Sequence, residues 1–394
     1  MKKNIGALFL GIFFTLLILT AVELFFRWNE KSHFVAKPQK DLLPYIHSKI
    51  KDFKTDPEIE ALIIKDPTYQ WKPEVTEAEG ARYMAEGEDV SGRGPISCCI
   101  GWFPPVTNKQ FESVVKTKDG RRIIFKAHYT FDNLGRRITP QRKNPAYNII
   151  MFGDSFTLGE GVNDEESVPY RLALLRPNAQ VFNMAVAGGS PNEFLYEVTH
   201  PTIRFDDVPK KKTIVLYDYM DNHLERLFCR SLCFTPAGSW ILTKPYYKSV
   251  DGVPVYQGLF FKDRPVINFI YKKVTESALL RFFDVILPPQ FSQRHFDFFA
   301  DVILEAKKNV EKKFSNVEFF LVLYPGASAE FGLELRDAAK KKGIAVLDYS
   351  QVNVYQMAKN KATVNGDGHP SPVTHLIFAH LLNRDLPSPM APTE

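Results

Sequence analysis

Ser155 follows Gly153 and Asp154, and far along the chain His369 stands two residues after Asp367 and directly before Pro370. A serine hydroxyl is a weak nucleophile until a base takes its proton. An imidazole can take it, and a carboxylate beside the ring orients it and stabilises its charged form. Such a reaction also needs donors for the oxyanion that develops on the substrate. Two segments supply them: the glycines of Asn183-Met184-Ala185-Val186-Ala187-Gly188-Gly189-Ser190 leave backbone N–H groups accessible, and Tyr219-Met220-Asp221-Asn222-His223 brings a side-chain amide. Together these are the parts of acyl transfer through a covalent acyl-enzyme, which needs no metal or organic cofactor. Gly-Asp-Ser alone is a weak signal, equally suited to a polar turn, so its placement in the fold has to carry the reading.

The flanking sequence supplies that placement. Asn148-Ile149-Ile150-Met151-Phe152, Val181-Phe182-Asn183-Met184-Ala185, Thr213-Ile214-Val215-Leu216-Tyr217, Phe319-Phe320-Leu321-Val322-Leu323 and Ile344-Ala345-Val346-Leu347 are apolar runs of the kind expected of strands buried on both faces. Helical patterns fall between them, at Asp301 to Lys313, at Ala329 to Lys342 before Gly343, near Ser167 and from Pro372 onward. This alternation predicts an α/β domain with a parallel sheet covered by helices on both sides. Ligands of such sheets bind beyond the carboxyl ends of the strands, where Ser155, Gly188 and Asn222 all fall. Asp154 is expected to stabilise the turn and His223 to make a local hydrogen bond. His375 and His380 are expected to pack or face solvent on the last helix, and Asp348 to serve a turn.

With these residues in place, 147–383 resembles the SGNH/GDSL hydrolase superfamily in the order of its sequence blocks. Gly153-Asp154-Ser155-Phe156 is similar to the first block, which implies Ser155 as nucleophile with its own N–H in the oxyanion hole. Gly188 is similar to the glycine of the second block and Asn222 to the asparagine of the third, which implies two further oxyanion donors. His369 before Pro370 is similar to the histidine of the last block, with Asp367 as its carboxylate. The implied fold is flavodoxin-like: a three-layer α/β/α sandwich around a five-stranded parallel sheet. The implied activity is that of a serine esterase or acyltransferase. The third block lacks its usual glycine, and the acid lies two residues before the histidine where Gly366 holds the commoner position. A Ser-His dyad helped by a main-chain carbonyl therefore stays open beside the triad.

The remainder of the 394 residues frames that domain. Residues 1–4 form a short basic tail and 5–26 an apolar run broken only by Glu23, about 33 Å long if helical and so enough to span a membrane. A good cleavage site is absent, which favours an uncleaved signal-anchor with the catalytic domain on the periplasmic or extracellular side. Residues 28–146 read as a membrane-proximal region ending in a β-hairpin around Asp119-Gly120. An insertion over 223–290 interrupts the α/β pattern, and 384–394 form a C-terminal tail. Cys98, Cys99, Cys229 and Cys233 allow disulfides, buried thiols or, least readily, a metal site. A net charge of +5 with dispersed lysines gives no reason to expect nucleic acid as partner. An acylated envelope glycan or lipid is the expected substrate; the rivals are a non-catalytic envelope binding or assembly protein and a soluble intracellular hydrolase.

Overall fold

The computed structural model describes residues 14–15, 17–28, 54–71, 107–116, 122–201, 203–235, 238–364 and 367–387. Strands β1 (Lys109–Lys116) and β2 (Ile123–Phe131) pair antiparallel as the expected hairpin; its Asp119-Gly120 turn lies outside the described residues. Each doubly apolar run then becomes a strand: β3 (Tyr147–Phe152), β4 (Ala179–Asn183) and β5 (Thr213–Tyr219). After a second hairpin, β6 (Pro245–Val250) and β7 (Val253–Leu259), come β8 (Val317–Leu323) and β9 (Ala345–Asp348). The five apolar strands form one parallel sheet in the order β4-β3-β5-β8-β9. The chain leaves β3 toward one edge and then crosses back to its other side. The carboxyl end of β3 is thus the switch point at which sheets of this kind open a crevice.

Strand alternation divides the core between the two faces of the sheet. Ile149 and Met151 turn toward α1 (Val168–Leu175) and the C-terminal helix, where Leu172, Ile377 and Phe378 meet them. Ile150 and Phe152 turn the other way, against Phe194 of α2 (Pro191–Thr199) and helices further along the chain. The 223–290 insertion holds most of α3 (Asn222–Phe228), the β6–β7 hairpin, α4 (Pro265–Glu276) and α5 (Ala278–Phe282). Then come α6 (Gln293–Lys313), α7 (Gly332–Lys341) and α8 (Pro372–Asp385). Phe299 and Ile303 of α6 and Leu335 of α7 complete the second face. The result is the expected three-layer sandwich.

Several boundaries differ from those read in the sequence. Helix α6 starts eight residues before Asp301, because Ser292 and His295 close a capping box there. Helix α8 continues to Asp385, past the expected domain end at 383, and Arg176 binds the carbonyls of Asn383, Leu386 and Pro387. The described parts of 28–146 are built onto the sheet domain. Ile59 and Ile63, on a helix started by Asp56, enter the same core as α8, while Ile124, Phe125, Ala127 and Tyr129 of β2 pack with Val364. Cys229 and Cys233 are free, buried thiols within the insertion, so the structure shows no disulfide there; Cys98 and Cys99 lie outside the described residues. At the N-terminus, 14–15 and 17–28 are helical. Among the described residues no helix is long and apolar enough to cross a membrane, and 5–13 and 16 of the apolar run lie outside them.

Candidate active site

At the end of β3 the chain must turn out of the sheet at once. Gly153 permits it: a Cβ there would fall 2.2 Å from Thr157 Oγ1. Asp154 follows in extended backbone and its carboxylate accepts the N–H of Phe156 at 3.0 Å, starting a one-turn helix, Ser155–Leu158. The sequence placed the next helix only near Ser167; α1 does begin there, but this shorter turn precedes it and carries the serine at its first position. The loop beyond is held from below by Arg137, whose side chain is wholly buried. Its guanidinium donates to the carbonyls of Leu158 (3.0 Å) and Val162 (2.7 Å), pairs with Asp164 (2.7 Å) and lies 4.2 Å from the centre of the Tyr129 ring. Tyr129 in turn accepts the N–H of Gly161 at 2.7 Å.

The segment leading into α8 brings in the base. His369 Nε2 lies 2.9 Å from Ser155 Oγ, and Asp367 Oδ2 is hydrogen-bonded to His369 Nδ1. An ionised carboxylate only accepts, so Nδ1 carries the proton and Nε2 is left to accept from the serine. The two-residue spacing closes because Gly368, at φ +82°, reverses the chain between acid and base. Phe156 packs edge-on against the imidazole with ring centres 5.6 Å apart. A second carboxylate also approaches the ring: Glu160 Oε2 is 3.5 Å from Nε2. Sequence reading missed both Glu160 and Arg137, since nothing local marks either as facing the serine loop.

The expected donors lie at the ends of neighbouring strands. Ser155 N–H opens its helix and has no intrahelical acceptor. Gly188 has φ +70°, and a Cβ there would meet the Trp240 ring at 2.9 Å, so a tryptophan from the insertion covers this turn. The half-buried Asn222 is the first residue of α3, just past the end of β5. Cations fix the backbone beside these donors. Lys244 Nζ donates to the Gly188 carbonyl at 2.7 Å, and Arg226 Nη1 donates to the Gly189 carbonyl at 2.8 Å and to Asp154 at 2.6 Å. Lys244 also pairs with Glu193, which accepts the Ser190 hydroxyl.

Burial and charge oppose one another across this layer. Burial would push the Asp154 carboxyl up, but the Arg226 guanidinium and His223 beside it prevail and hold it well below the usual carboxylate range. Asp218 has no such cation; burial pushes it up to about 8 although Thr157 donates to it at 2.7 Å. Burial likewise raises Asp221 to about 7, against the N–H groups of Glu330 and Phe331 and the Tyr219 hydroxyl that it accepts. His223 is buried and bonded to the Tyr217 hydroxyl at 3.0 Å, as expected of a local role. The remaining candidates stay apart from the serine. His375 is buried in α8, where burial lowers it to about 3, and Asp348 holds Ser350 and Arg336. Among the described residues no cluster of three or more His, Cys, Asp or Glu could hold a metal ion.

The Ser155–His369–Asp367 line can take a serine proton onto an imidazole that a carboxylate orients. No family model and no curated protein matches the chain. Among solved structures it is similar to a member of the lipolytic protein G-D-S-L family from Veillonella parvula DSM 2008, at 12% identity over 61% of this chain and 98% of that one, with a TM-score of 0.34. It is also similar to phospholipase A1 from Streptomyces albidoflavus NA297, at 10% identity over 61% of this chain and 100% of that one, TM-score 0.34. A third is a family two carbohydrate esterase from Clostridium thermocellum in complex with cellohexaose, at 13% identity over 67% of this chain and 69% of that one, TM-score 0.34.

Proposed function

We propose that this protein is a serine esterase or O-acyltransferase acting through an acyl-enzyme at Ser155. The observation that carries the reading is the continuous line from Ser155 Oγ through His369, 2.9 Å away, to Asp367 on the far ring nitrogen. In that line His369 takes the serine proton as Oγ attacks the ester carbonyl, and Asp367 stabilises the imidazolium. The N–H groups of Ser155 and Gly188 and the amide of Asn222 receive the oxyanion. His369 then protonates the leaving alcohol. In the second half water, or a sugar hydroxyl, gives its proton to His369 and releases the acyl group.

The proposed substrate is an acylated envelope glycan or lipid, processed outside the cytoplasm by a protein held through its N-terminal helix. The apolar run 5–26 behind Lys2 and Lys3 supports this, as do the exposed Leu17, Ile18, Leu24 and Phe25 on that helix. A fluorophosphonate probe tests the chemistry: the expected result is stoichiometric labelling that vanishes in Ser155→Ala. A wild-type protein that stays unlabelled and leaves p-nitrophenyl acetate intact overturns the reading. Comparing acetate with longer p-nitrophenyl esters then reports the size of the acyl site, and extraction only by detergent reports the anchor.

A further inference from the structure

The N-terminal helix is fastened to the body at its far end. Glu23, the one charge in the run 5–26, accepts the N–H groups of Ala278 (2.8 Å) and Leu279 (3.2 Å) and the hydroxyl of Ser277 (2.7 Å). A carboxylate from one helix thus caps the first turn of another, α5. Arg27 donates to the carbonyl of Glu276, the last residue of α4, at 3.1 Å. Phe26 packs on Phe282 with ring centres 4.7 Å apart. The helix end and the α4–α5 corner of the insertion form one joint.

The outer side of that joint is apolar. Phe282 and Phe283 are 58% and 65% exposed, and along α4 Val266 (72%), Phe269 (63%) and Ile270 (46%) are exposed too. Residues three and four apart share a helix face, so these three form one stripe, and Lys273 continues it a turn later with its ammonium 5.9 Å from the Phe269 ring centre. Lys272 and Arg27 add exposed cations nearby, with Glu276 paired to both lysines and Glu23 to Arg27. A helix with aromatic and aliphatic residues on one face and lysines at its edge has the build of an element lying in a membrane interface.

We propose that α4 and the α4–α5 corner rest in the headgroup–acyl boundary of the bilayer that the N-terminal helix enters, seating the catalytic domain on lipid. The proposal rests on the anchoring read above for that helix. Lipid is the occupant because the surface continues directly into a helix whose own Leu24 and Phe25 are exposed, and because cations rim it where acidic headgroups would lie. The same insertion places Trp240 over Gly188, so the element in contact with lipid also forms a wall of the active site.

The test uses the full chain reconstituted in phosphatidylcholine–phosphatidylglycerol vesicles brominated near the headgroup end of the acyl chains. Relative to wild type with its four tryptophans, Phe269→Trp is expected to add fluorescence that the bromolipid quenches by at least half. Leu333→Trp, exposed on α7, is expected to add fluorescence that it leaves unchanged. Val266→Asp combined with Phe269→Asp is expected to lower turnover of a vesicle-borne ester several-fold while sparing p-nitrophenyl acetate. A Phe269→Trp protein that floats with vesicles while its added fluorescence stays unquenched overturns the proposal and keeps the anchor. Protein that does not float overturns both, and fluorophosphonate labelling judges the esterase chemistry separately. Unquenched Phe269→Trp fluorescence together with a doubled mass would assign the surface to a second copy of the chain.

Discussion

Asp367 reaches Nδ1 of His369 although it stands only two residues away, and that contact separates a triad from a dyad. Asp367→Asn replaces an acceptor by a group that can donate, which favours the wrong tautomer. The expected cost is up to ~10⁴ in kcat with the fold intact, comparable to His369→Ala; a mild, roughly tenfold loss beside a severe one in His369→Ala would mean a dyad, with a main-chain carbonyl orienting the ring. A different buried acid sets a pH dependence of stability. Asp218, at about 8, keeps its proton over a range in which the unfolded chain releases it. The unfolded state then binds fewer protons, so this group's contribution falls as pH rises from about 4 to about 8, by at most ~1.4 kcal/mol per unit. Asp218→Asn is expected to flatten that slope in urea titrations at pH 5 and pH 8; an unchanged slope would mean that Asp218 ionises normally. Ser155 and His369, which the structure brings within hydrogen-bond distance, were legible because each lies in a short segment whose composition suits its place. Glu160 and Arg137 were not, because their roles come from approach across the fold.

Among the elements, the buried strands read cleanly from sequence because a strand covered on both faces must be apolar throughout, and the five expected runs are the five strands of the sheet. The helix that opens at Ser155 did not. Four residues are too few to show a helical period, and its start is set by Asp154 capping and its end by Gly159 at φ +90°. The loop after it depends on Arg137, which answers three of its carbonyls, that of His128 and one carboxylate from an isolated β-bridge outside the predicted domain. Arg137→Leu strands Asp164 and those carbonyls in a buried setting. A loss of about 3–5 kcal/mol in urea unfolding is expected, with increased amide exchange over 158–162. A loss under 1 kcal/mol would show that water replaces the guanidinium at little cost.

Across the whole molecule, a parallel sheet covered on both sides follows from the alternation of strands and helices, while the way 28–146 attaches does not. Its contributions to the core, Ile59 and Ile63 one turn apart on a short helix and Tyr129 in the alternation of β2, have a local period, but nothing local says which part of the sheet domain they meet. One residue shows what assembly at this scale achieves. Arg226 holds Asp154, beside the serine, and the carbonyl of Gly189, beside the second donor, while its own helix begins four residues earlier at Asn222. A single planar group therefore triangulates three strand ends that are distant in sequence. Distances between the three proposed oxyanion donors are then not independent tolerances, each drifting with its own loop; they share one surveyor's mark. Arg226→Lys keeps the charge but gives up the planar Nη1, whose two N–H groups point in fixed directions at both acceptors. Its expected signature is a kcat lowered ten- to a hundredfold with KM little changed, because a ground-state ester tolerates misplaced donors and the tetrahedral oxyanion does not. An equal loss in KM would mean that the arginine shapes the binding surface, and that each donor keeps its own position.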